Sequence, residues 1–300
     1  MHEIETYRIL EQEKLVLESS DGGLRAAILP ARGGMLVSLK KDGEEFIYCD
    51  PDNLLSEDRP KCGMPVLFPV CGKLKEDVCP IDGTLYPMPM HGLAQKEVWE
   101  ILDTGWGQNG AYLRLRFTSD AFTERSFPYQ FCVELEYRIK GDQLYVFQTY
   151  KNQSEKPMYF SFGFHPYFYI SSLQQTEFRL HAREIWIPSE QSRNPAPERF
   201  LFPWKGIREY GAMMSGCKES VSFLDKGNGH MVEVAFSQEF PYALLWSRPE
   251  KHFVCLEPWS APADAFHIAP DTLTCLGAGE SLNAEISIRI DISDEEKRRR

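Results

Sequence analysis

Two histidines and one glutamate stand out because each lies in a short, rigid, apolar segment. They are His91, His165 and Glu257, and each is followed directly by Gly or Pro. An imidazole and a carboxylate held among aromatic rings can act as a general acid and a general base, with pKa values set by their surroundings. The three residues therefore predict acid–base chemistry, provided that the fold brings their segments together.

His165 has little backbone freedom. Pro166 fixes its own φ and pushes the residue before it toward extended geometry. A proton donor needs such a fixed position. The alternative for a single histidine is a core imidazole bonded to a backbone carbonyl, but three similar segments favour a catalytic role.

Glu257 sits at the end of a strand-like apolar run. A glutamate buried there is costly unless it is paired or used. Desolvation would raise its pKa, and a donor from His91 or Lys73 would lower it. That balance suits a base that works near neutral pH, and a structural ion pair is the alternative.

His91 precedes Gly92, so a ligand can approach the backbone without meeting a neighbouring Cβ. We expect His91 to hold a substrate oxygen. Two histidines and a glutamate could also bind a metal as a facial triad. The sequence has no short HxH or HExxH spacing, so we expect no metal.

Two tryptophans are candidates for substrate binding. Trp246 and Trp259 could stack on the apolar face of a pyranose ring, although aromatic side chains pack protein cores just as readily. We expect both to bind the substrate with the proposed acid and base nearby; without those two groups, both would be core residues.

The elements that must position these residues are strands. Apolar and polar residues alternate in 112–117, 133–139 and 284–290, and Gly-containing turn signals separate such runs. With 300 residues and 43% apolar residues, the pattern predicts one all-β domain over 1–293, a large antiparallel β-sandwich. The proline-rich stretch 188–203 reads as an irregular loop, and the charged tail 294–300 as disordered.

The formal net charge of −11 argues against nucleic acid or an anionic membrane surface as the main partner. We find no apolar stretch near the ~20 residues of a membrane helix and no secretory signal. The expected location is the reducing cytoplasm, and the expected partner is a small molecule. The oligomeric state does not follow from the sequence.

The eight cysteines show no CxxC pair and no zinc-ribbon spacing. Cysteines inside apolar runs usually behave as small buried hydrophobes. Cys62, Cys71 and Cys79 form a looser group, for which a metal or disulfide role is a minor alternative.

Motifs along most of the chain resemble those of the aldose 1-epimerase (galactose mutarotase-like) family. In this order and spacing they are strong together, although each is weak alone. The matching segments are 29–39, 63–74 ("GMPVLFPVCGKL"), 82–94 ("DGTLY" to "HGLA"), 165–168 ("HPYF") and 257–259 ("EPW") with Pro262.

The resemblance implies a β-supersandwich with a shallow, open sugar cleft and no cofactor. It implies that Glu257 is the general base that removes the proton from the C1 hydroxyl, and that His165 is the general acid that protonates the ring oxygen. The ring then opens, C1–C2 rotates, and the two groups reverse roles. His91 would orient the ring oxygen or a neighbouring hydroxyl.

The sequence departs from the family pattern at two positions. The galactose-type branch has an arginine where this chain has Lys73, and the arginine of "HGFAR" is Gln95 here. We still expect Lys73 to contact the substrate. The galactose-type aspartate has no confident match, and Asp225 is left out of the site.

Two alternatives to an aldose 1-epimerase remain. A hexose-6-phosphate 1-epimerase could meet its phosphate with Lys61, Lys73 and Lys75, although Gln95 disfavours it. A non-catalytic carbohydrate-binding protein would not need to keep both the acid and the base. A glycoside hydrolase is least favoured, because it usually needs two carboxylates.

Overall fold

A computed structural model describes residues 5–9, 12–54, 59–107, 110–188, 191–201, 210–248 and 250–293. The tail 294–300 lies outside these residues, so its disorder stays a prediction.

Twenty-six strands make up most of the described chain. The first twelve are β1 (Glu5–Ile9), β2 (Gln12–Glu18), β3 (Leu24–Leu29), β4 (Met35–Lys41), β5 (Glu44–Glu45), β6 (Val66–Leu67), β7 (Val78–Ile81), β8 (Thr84–Pro87), β9 (Glu100–Gly107), β10 (Gly110–Thr118), β11 (Phe131–Lys140) and β12 (Gln143–Asn152). The others are β13 (Met158–Phe160), β14 (Gly163–Phe164), β15 (Tyr167–Tyr169), β16 (Thr176–Leu180), β17 (Glu184–Ile187), β18 (Ser192–Pro195), β19 (Arg199–Phe200), β20 (Tyr210–Ser215), β21 (Ser220–Asp225), β22 (His230–Phe236), β23 (Tyr242–Ser247), β24 (Phe253–Trp259), β25 (Thr274–Leu276) and β26 (Ser281–Ile292).

Helices are few and short. The α-helices of the described residues are α1 (Pro51–Leu54) and α2 (Ala265–Ile268), and 3-10 turns occupy Lys75–Asp77, Ala94–Lys96, Thr123–Arg125, Leu173–Gln175 and Pro270–Thr272. Within the described ranges, no helix has the length and apolar character that crossing a bilayer requires.

Two large antiparallel sheets confirm the predicted all-β sandwich. One has nine strands in the order β19-β16-β21-β22-β26-β12-β11-β10-β9, and the other has eight in the order β18-β17-β20-β23-β24-β14-β6, with β15 also paired to β24. Strands β1 to β5 form a further sheet, and β7-β8 and β13-β25 are two-stranded. The main core contains inward side chains of both large sheets, such as Leu135 and Ile288 from one and Leu245 and Leu256 from the other.

The alternating patterns are confirmed as strands with one buried face. In β10, Leu113, Leu115 and Phe117 are buried, whereas Arg114 faces outward and lies 3.6 Å from Glu134 of β11. Period-two burial of this kind fixes the register, because a slip of one residue would expose every apolar side chain.

The predicted loop at 188–203 was wrong in part, since it contains β18 and β19. Strand β18 is the terminal strand of the eight-stranded sheet. An edge position tolerates Pro195, because an edge strand does not need every N–H for pairing.

The three grouped cysteines lie in three separate apolar clusters. Cys62 packs near the N-terminal sheet, Cys71 packs beside Trp259, and Cys79 belongs to the main core. They are free thiols. The Sγ atom of Cys62 lies 3.7 Å from that of Cys49.

Candidate active site

Strand β24 carries the centre of the site. Its sequence FVCLEPW is buried along its whole length. Val254 and Leu256 face the main core, so the alternate residues Cys255, Glu257 and Trp259 share the opposite face. Glu257 is thereby held in the middle of a sheet and not in a loop.

His165 lies opposite Glu257 at a break between two short strands. β14 pairs Gly163 with Trp259, and β15 pairs Tyr167 with Cys255. The position between them therefore faces Glu257. Pro166 has no N–H to donate, and the N–H of His165 bonds to the carbonyl of Pro65 at 3.0 Å.

The His165 and Glu257 side chains meet: Nε2 of His165 lies 3.4 Å from Oε1 of Glu257. Glu257 is inaccessible to solvent, and His165 is 5% exposed. Both carboxylate oxygens and Nδ1 of His165 lack hydrogen-bond partners within the described structure. Buried polar atoms without partners are costly, and they mark a site that a polar ligand can satisfy.

His91 completes the group at a strained turn. Its φ is +66°, which non-Gly residues rarely adopt. Gly92 follows it with φ +78°, and a Cβ there would lie 2.3 Å from the carbonyl oxygen of Phe68. The His91 ring lies 5.1 Å from that of His165 between centroids.

The tautomer of His91 follows from one hydrogen bond. Its Nδ1 accepts the backbone N–H of Gly72 at 3.1 Å. A neutral imidazole that accepts at Nδ1 carries its proton on Nε2, and Nε2 is buried without a partner within the described residues. His91 therefore presents an N–H donor to a ligand.

Burial disfavours charge on all three groups. It raises the pKa of Glu257 well above its usual value and lowers the pKa of His165 well below its own. It lowers the pKa of His91 to about 3, with a smaller contribution from the Arg59 charge. His91 is consequently a neutral donor throughout the neutral range.

Arg59 is a cation of this site that the sequence analysis missed. Burial has the larger effect on the pKa of all three groups. The smaller effect of the Arg59 charge opposes the raised pKa of Glu257 and adds to the lowered pKa values of His165 and His91. Arg59 lies at the start of a segment whose Gly63 and Pro65 carbonyls accept the N–H groups of Tyr167 and His165.

Two further side chains of the site, Tyr167 and Cys255, received no role in the sequence analysis. The ring of Tyr167 stacks on His165 with centroids 4.6 Å apart and planes 6° apart, and its buried hydroxyl lacks a partner among the described residues. Cys255 shares the face of Glu257. Cys255 lies two residues before Glu257 on the same strand, and this spacing could have predicted that the two side chains share a face.

The two tryptophans have different positions. Trp246 is half-buried, and its ring stands edge-on to His165 at 5.8 Å, so it forms a wall of the site. Trp259 is only 2% exposed and packs on Leu67 and Cys71. Trp259 therefore has no exposed stacking face in this structure, and its contact with the substrate stays a prediction. Its indole N–H lies close enough to Glu257 to lower the pKa of that carboxyl, without a hydrogen bond in the described structure.

Lys73 does not join the cluster, contrary to expectation. Its side chain is 62% exposed, and its Nζ lies 3.5 Å from Asp77. Only its neighbour Gly72 touches the site, through the backbone. Gln95, which replaces the expected arginine, is buried and donates to the carbonyl of Met90 at 2.7 Å, so it supports the His91 turn.

Asp225, which the sequence analysis left out of the site, has a structural role. It is fully buried and accepts hydrogen bonds from the backbone N–H and hydroxyl of Ser171 and from the N–H of Gly227. These bonds tie the β21–β22 turn to the segment after β15.

One group of possible metal ligands occurs in the described residues, and it differs from the alternative of two histidines with glutamate that the sequence analysis considered and did not favour. Donor atoms of His165, Cys255 and Glu257 all lie within 4.8 Å of one another. The set has a soft thiolate donor in place of His91, which is typical of zinc sites.

The sequence matches the model of a known protein family. The sequence model described as "Aldose 1-epimerase" matches residues 15–289. Protein LacX of Lactococcus lactis subsp. lactis is 26% identical over 260 residues, covering 76% of this chain and 82% of LacX.

Solved structures share the fold of this chain. The Slr1438 protein from Synechocystis sp. PCC 6803 has a TM-score of 0.86 at 25% identity, covering 98% of this chain and all of that one. A galactose mutarotase related enzyme from Lactobacillus acidophilus has a TM-score of 0.76 at 21% identity, with coverage of 94% and 98%. The second likeness shows the fold alone.

Proposed function

The chain belongs to the aldose 1-epimerase family, and from that premise we propose that it interconverts the α and β anomers of a free aldose by acid–base ring opening. The observation that carries the proposal is the 3.4 Å approach of His165 Nε2 to Glu257 Oε1. The unpartnered polar atoms around this approach support a polar ligand such as a sugar.

In the reaction, Glu257 takes the proton of the C1 hydroxyl while His165 gives a proton to the ring oxygen. The C1–ring oxygen bond breaks and C1 becomes an aldehyde. Rotation about C1–C2 presents the other face, and the reverse transfers close the ring as the opposite anomer. His91 donates its Nε2–H to the ring oxygen or an adjacent hydroxyl.

The opposed pKa shifts fit a reversible reaction. A raised pKa makes the Glu257 carboxylate a strong base, and a lowered pKa makes the His165 imidazolium a strong acid. At pH values between the lowered pKa of His165 and the raised pKa of Glu257, the two groups together hold one proton, whichever of them carries it. One shared proton is what both directions need, because each direction uses one acid and one base.

The burial of the pair sets a condition on binding. The resemblance implies an open cleft, yet Glu257 is inaccessible and His165 nearly so. Side chains over the pair must therefore move when a sugar enters. If these side chains close again over the bound sugar, they would exclude water from the open-chain aldehyde.

A hexose 6-phosphate is less well supported as substrate. Lys73 and Lys75 are exposed, and Lys73 is next to Asp77. The charge of Arg59, and not that of Lys73 or Lys75, contributes to the pKa values of Glu257 and His165.

Polarimetry of freshly dissolved α-D-glucose and α-D-galactose tests the proposal, with Glu257→Gln as the control protein. We expect faster mutarotation of a free sugar with the wild-type chain and loss of the acceleration in the control. NMR exchange of glucose 6-phosphate runs in parallel, and acceleration of the phosphate alone would transfer the proposal to the phosphorylated substrate. If no sugar is accelerated, the catalytic proposal is wrong.

A further inference from the structure

A row of side chains leads from Glu257 across the eight-stranded sheet. Cross-strand pairing places next to one another, in order, Glu257, Leu244, Met213, Trp186 and Arg193. Adjacent strands lie about 4.8 Å apart, so Trp186 is roughly 14 Å and Arg193 roughly 19 Å from Glu257. That span is longer than one pyranose ring.

A groove of about 650 Å³ lies along the outer half of this row. Trp186 and Tyr242 line it on the sheet side, and Ala263 and Ile268 line it on the α2 side. Met213, Tyr242 and Ala263 also pack against the cluster of Leu67, Cys71 and Trp259, and the rings of Trp259 and His91 meet edge to face with centroids 5.9 Å apart. The groove therefore begins one to two strands away from Glu257, at Tyr242 and Met213.

Arg183 and Arg193 supply two positive charges to the groove lining. Both side chains are exposed, and neither has an ion-pair partner among the described residues. Glu184 also lines the groove, and its carboxylate lies 3.5 Å from the hydroxyl of Ser215. Burial is the main cause of the raised pKa of Tyr242; the Asp271 charge adds to it and the Arg193 charge opposes it, so a carboxylate and a guanidinium both lie near the groove.

The chemistry of the groove selects an occupant. Trp186 is 42% exposed, and a flat exposed ring offers a face to the C–H side of a sugar ring. Arg193 stands directly opposite Trp186 in the β17–β18 pair. A guanidinium binds a carboxylate or phosphate through two parallel hydrogen bonds. A chain of net charge −11 repels anions in general, so a local pair of arginines is needed to hold one.

We propose that this groove is an outer subsite, and that the substrate is an oligosaccharide whose reducing-end aldose reaches Glu257 and His165 while its second ring carries a negative charge. The second ring lies over Met213 and Tyr242, and its anion meets Arg193 and Arg183. This inference rests on the proposed function for the reducing-end ring, but the subsite itself can be tested by binding alone.

The kinetic experiment compares three substrates with the same reducing end: glucose, the neutral disaccharide cellobiose, and cellobiouronic acid, which replaces the outer glucose with glucuronic acid. We expect kcat/KM for mutarotation to be highest for cellobiouronic acid. Arg193→Gln should lower that value about tenfold, as for the loss of one charge-assisted hydrogen bond, and leave glucose unchanged. Arg125→Gln, an exposed arginine of the Thr123–Arg125 turn, is the matched control.

The outcomes separate the subsite from the catalytic proposal. Equal kcat/KM for glucose and both disaccharides would overturn the subsite and leave the epimerase intact. A gain that is the same for both disaccharides would overturn the anionic second ring.

Direct binding tests the subsite if no turnover is found. Isothermal titration of cellobiouronic acid into Glu257→Gln protein should give a Kd that rises about tenfold on adding Arg193→Gln and not on adding Arg125→Gln. Equal Kd values in these two double variants would contradict the subsite whatever the catalytic activity.

Discussion

His165 and Glu257 occupy opposing positions of one antiparallel pairing, although no ladder bond joins them. β14 and β15 pair with β24 on either side, with Gly163 opposite Trp259 and Tyr167 opposite Cys255. The register is continuous through the break that Pro166 creates. Side chains directly opposite in a sheet lie close together, so the strand pairing brings the proposed acid and the proposed base together.

Removing either member of this pair should abolish most of the mutarotase activity. We expect Glu257→Gln and His165→Asn each to lower kcat by about 10² to 10⁴-fold, the usual contribution of a general acid or base. Polarimetry on the same sugar gives the rates, and thermal melting checks the fold. Near-normal turnover in a folded variant would contradict the role given to that residue.

Activity should show a bell-shaped pH dependence. The pair holds its one shared proton between the lowered pKa of His165 and the raised pKa of Glu257. In kcat/KM, the acid limb should therefore lie below pH 6.5, the ordinary histidine value, and the alkaline limb well above pH 4.5. An acid limb above pH 6.5 would show that His165 is not desolvated in the free protein.

Arg59 should matter to the pair more than Lys73 does. Because the Arg59 charge lowers the pKa values of both Glu257 and His165, Arg59→Gln should move both limbs of the pH profile to higher pH. Lys73→Gln, which removes an exposed cation beside Asp77, should leave both limbs in place. The sequence analysis, in contrast, expects Lys73 to contact the substrate and gives Arg59 no role. Loss of activity in Lys73→Gln but not in Arg59→Gln would support that earlier expectation.

His91 should make the fold less stable in mild acid. Its pKa is about 3 in the folded chain and 6.5 when exposed, so unfolding takes up a proton below pH 6.5. The free energy of unfolding should fall by about 1.4 kcal/mol for each pH unit below that value on account of this group. Denaturant unfolding at pH 6 and pH 5 measures the slope, which His91→Gln should reduce by one proton. An unchanged slope would mean that His91 is not buried as a neutral ring.

Zinc should inhibit the enzyme through Cys255. The donors of Cys255, His165 and Glu257 lie within 4.8 Å of one another, and zinc bound there would occupy both catalytic groups. We expect micromolar-range inhibition that Cys255→Ser weakens about tenfold or more, since thiolate is a preferred zinc ligand. Cys132→Ser, on β11 away from this face, is the control. Equal inhibition of all three proteins would exclude this site.

Several features of the site were available in the sequence. The Gly or Pro that follows His91, His165 and Glu257 marked the three groups, and the structure brings all three together. The alternating patterns gave the strands, because a period of two on a half-buried sheet is a local property. Cys255 could have been added, since it lies two residues from Glu257 on the same strand.

Other features depended on long-range contacts. Arg59 and Lys73 are both basic residues near the same motif, and only the path of the chain shows that one charge reaches Glu257 while the other side chain points to solvent. Trp246 and Trp259 look equivalent in sequence, yet the packing of Leu67 and Cys71 buries the second.

The sequence by itself determined the family and the all-β class, and it singled out His165 and Glu257 as the proposed acid and base. These depend on residue types and on patterns within a few neighbours. The tertiary structure decided the register that opposes His165 to Glu257, the burial that shifts their pKa values, and the row that leads from Glu257 to Arg193. Each of these depends on which strand lies beside which, and strand pairing across a sheet joins residues that are far apart in the chain.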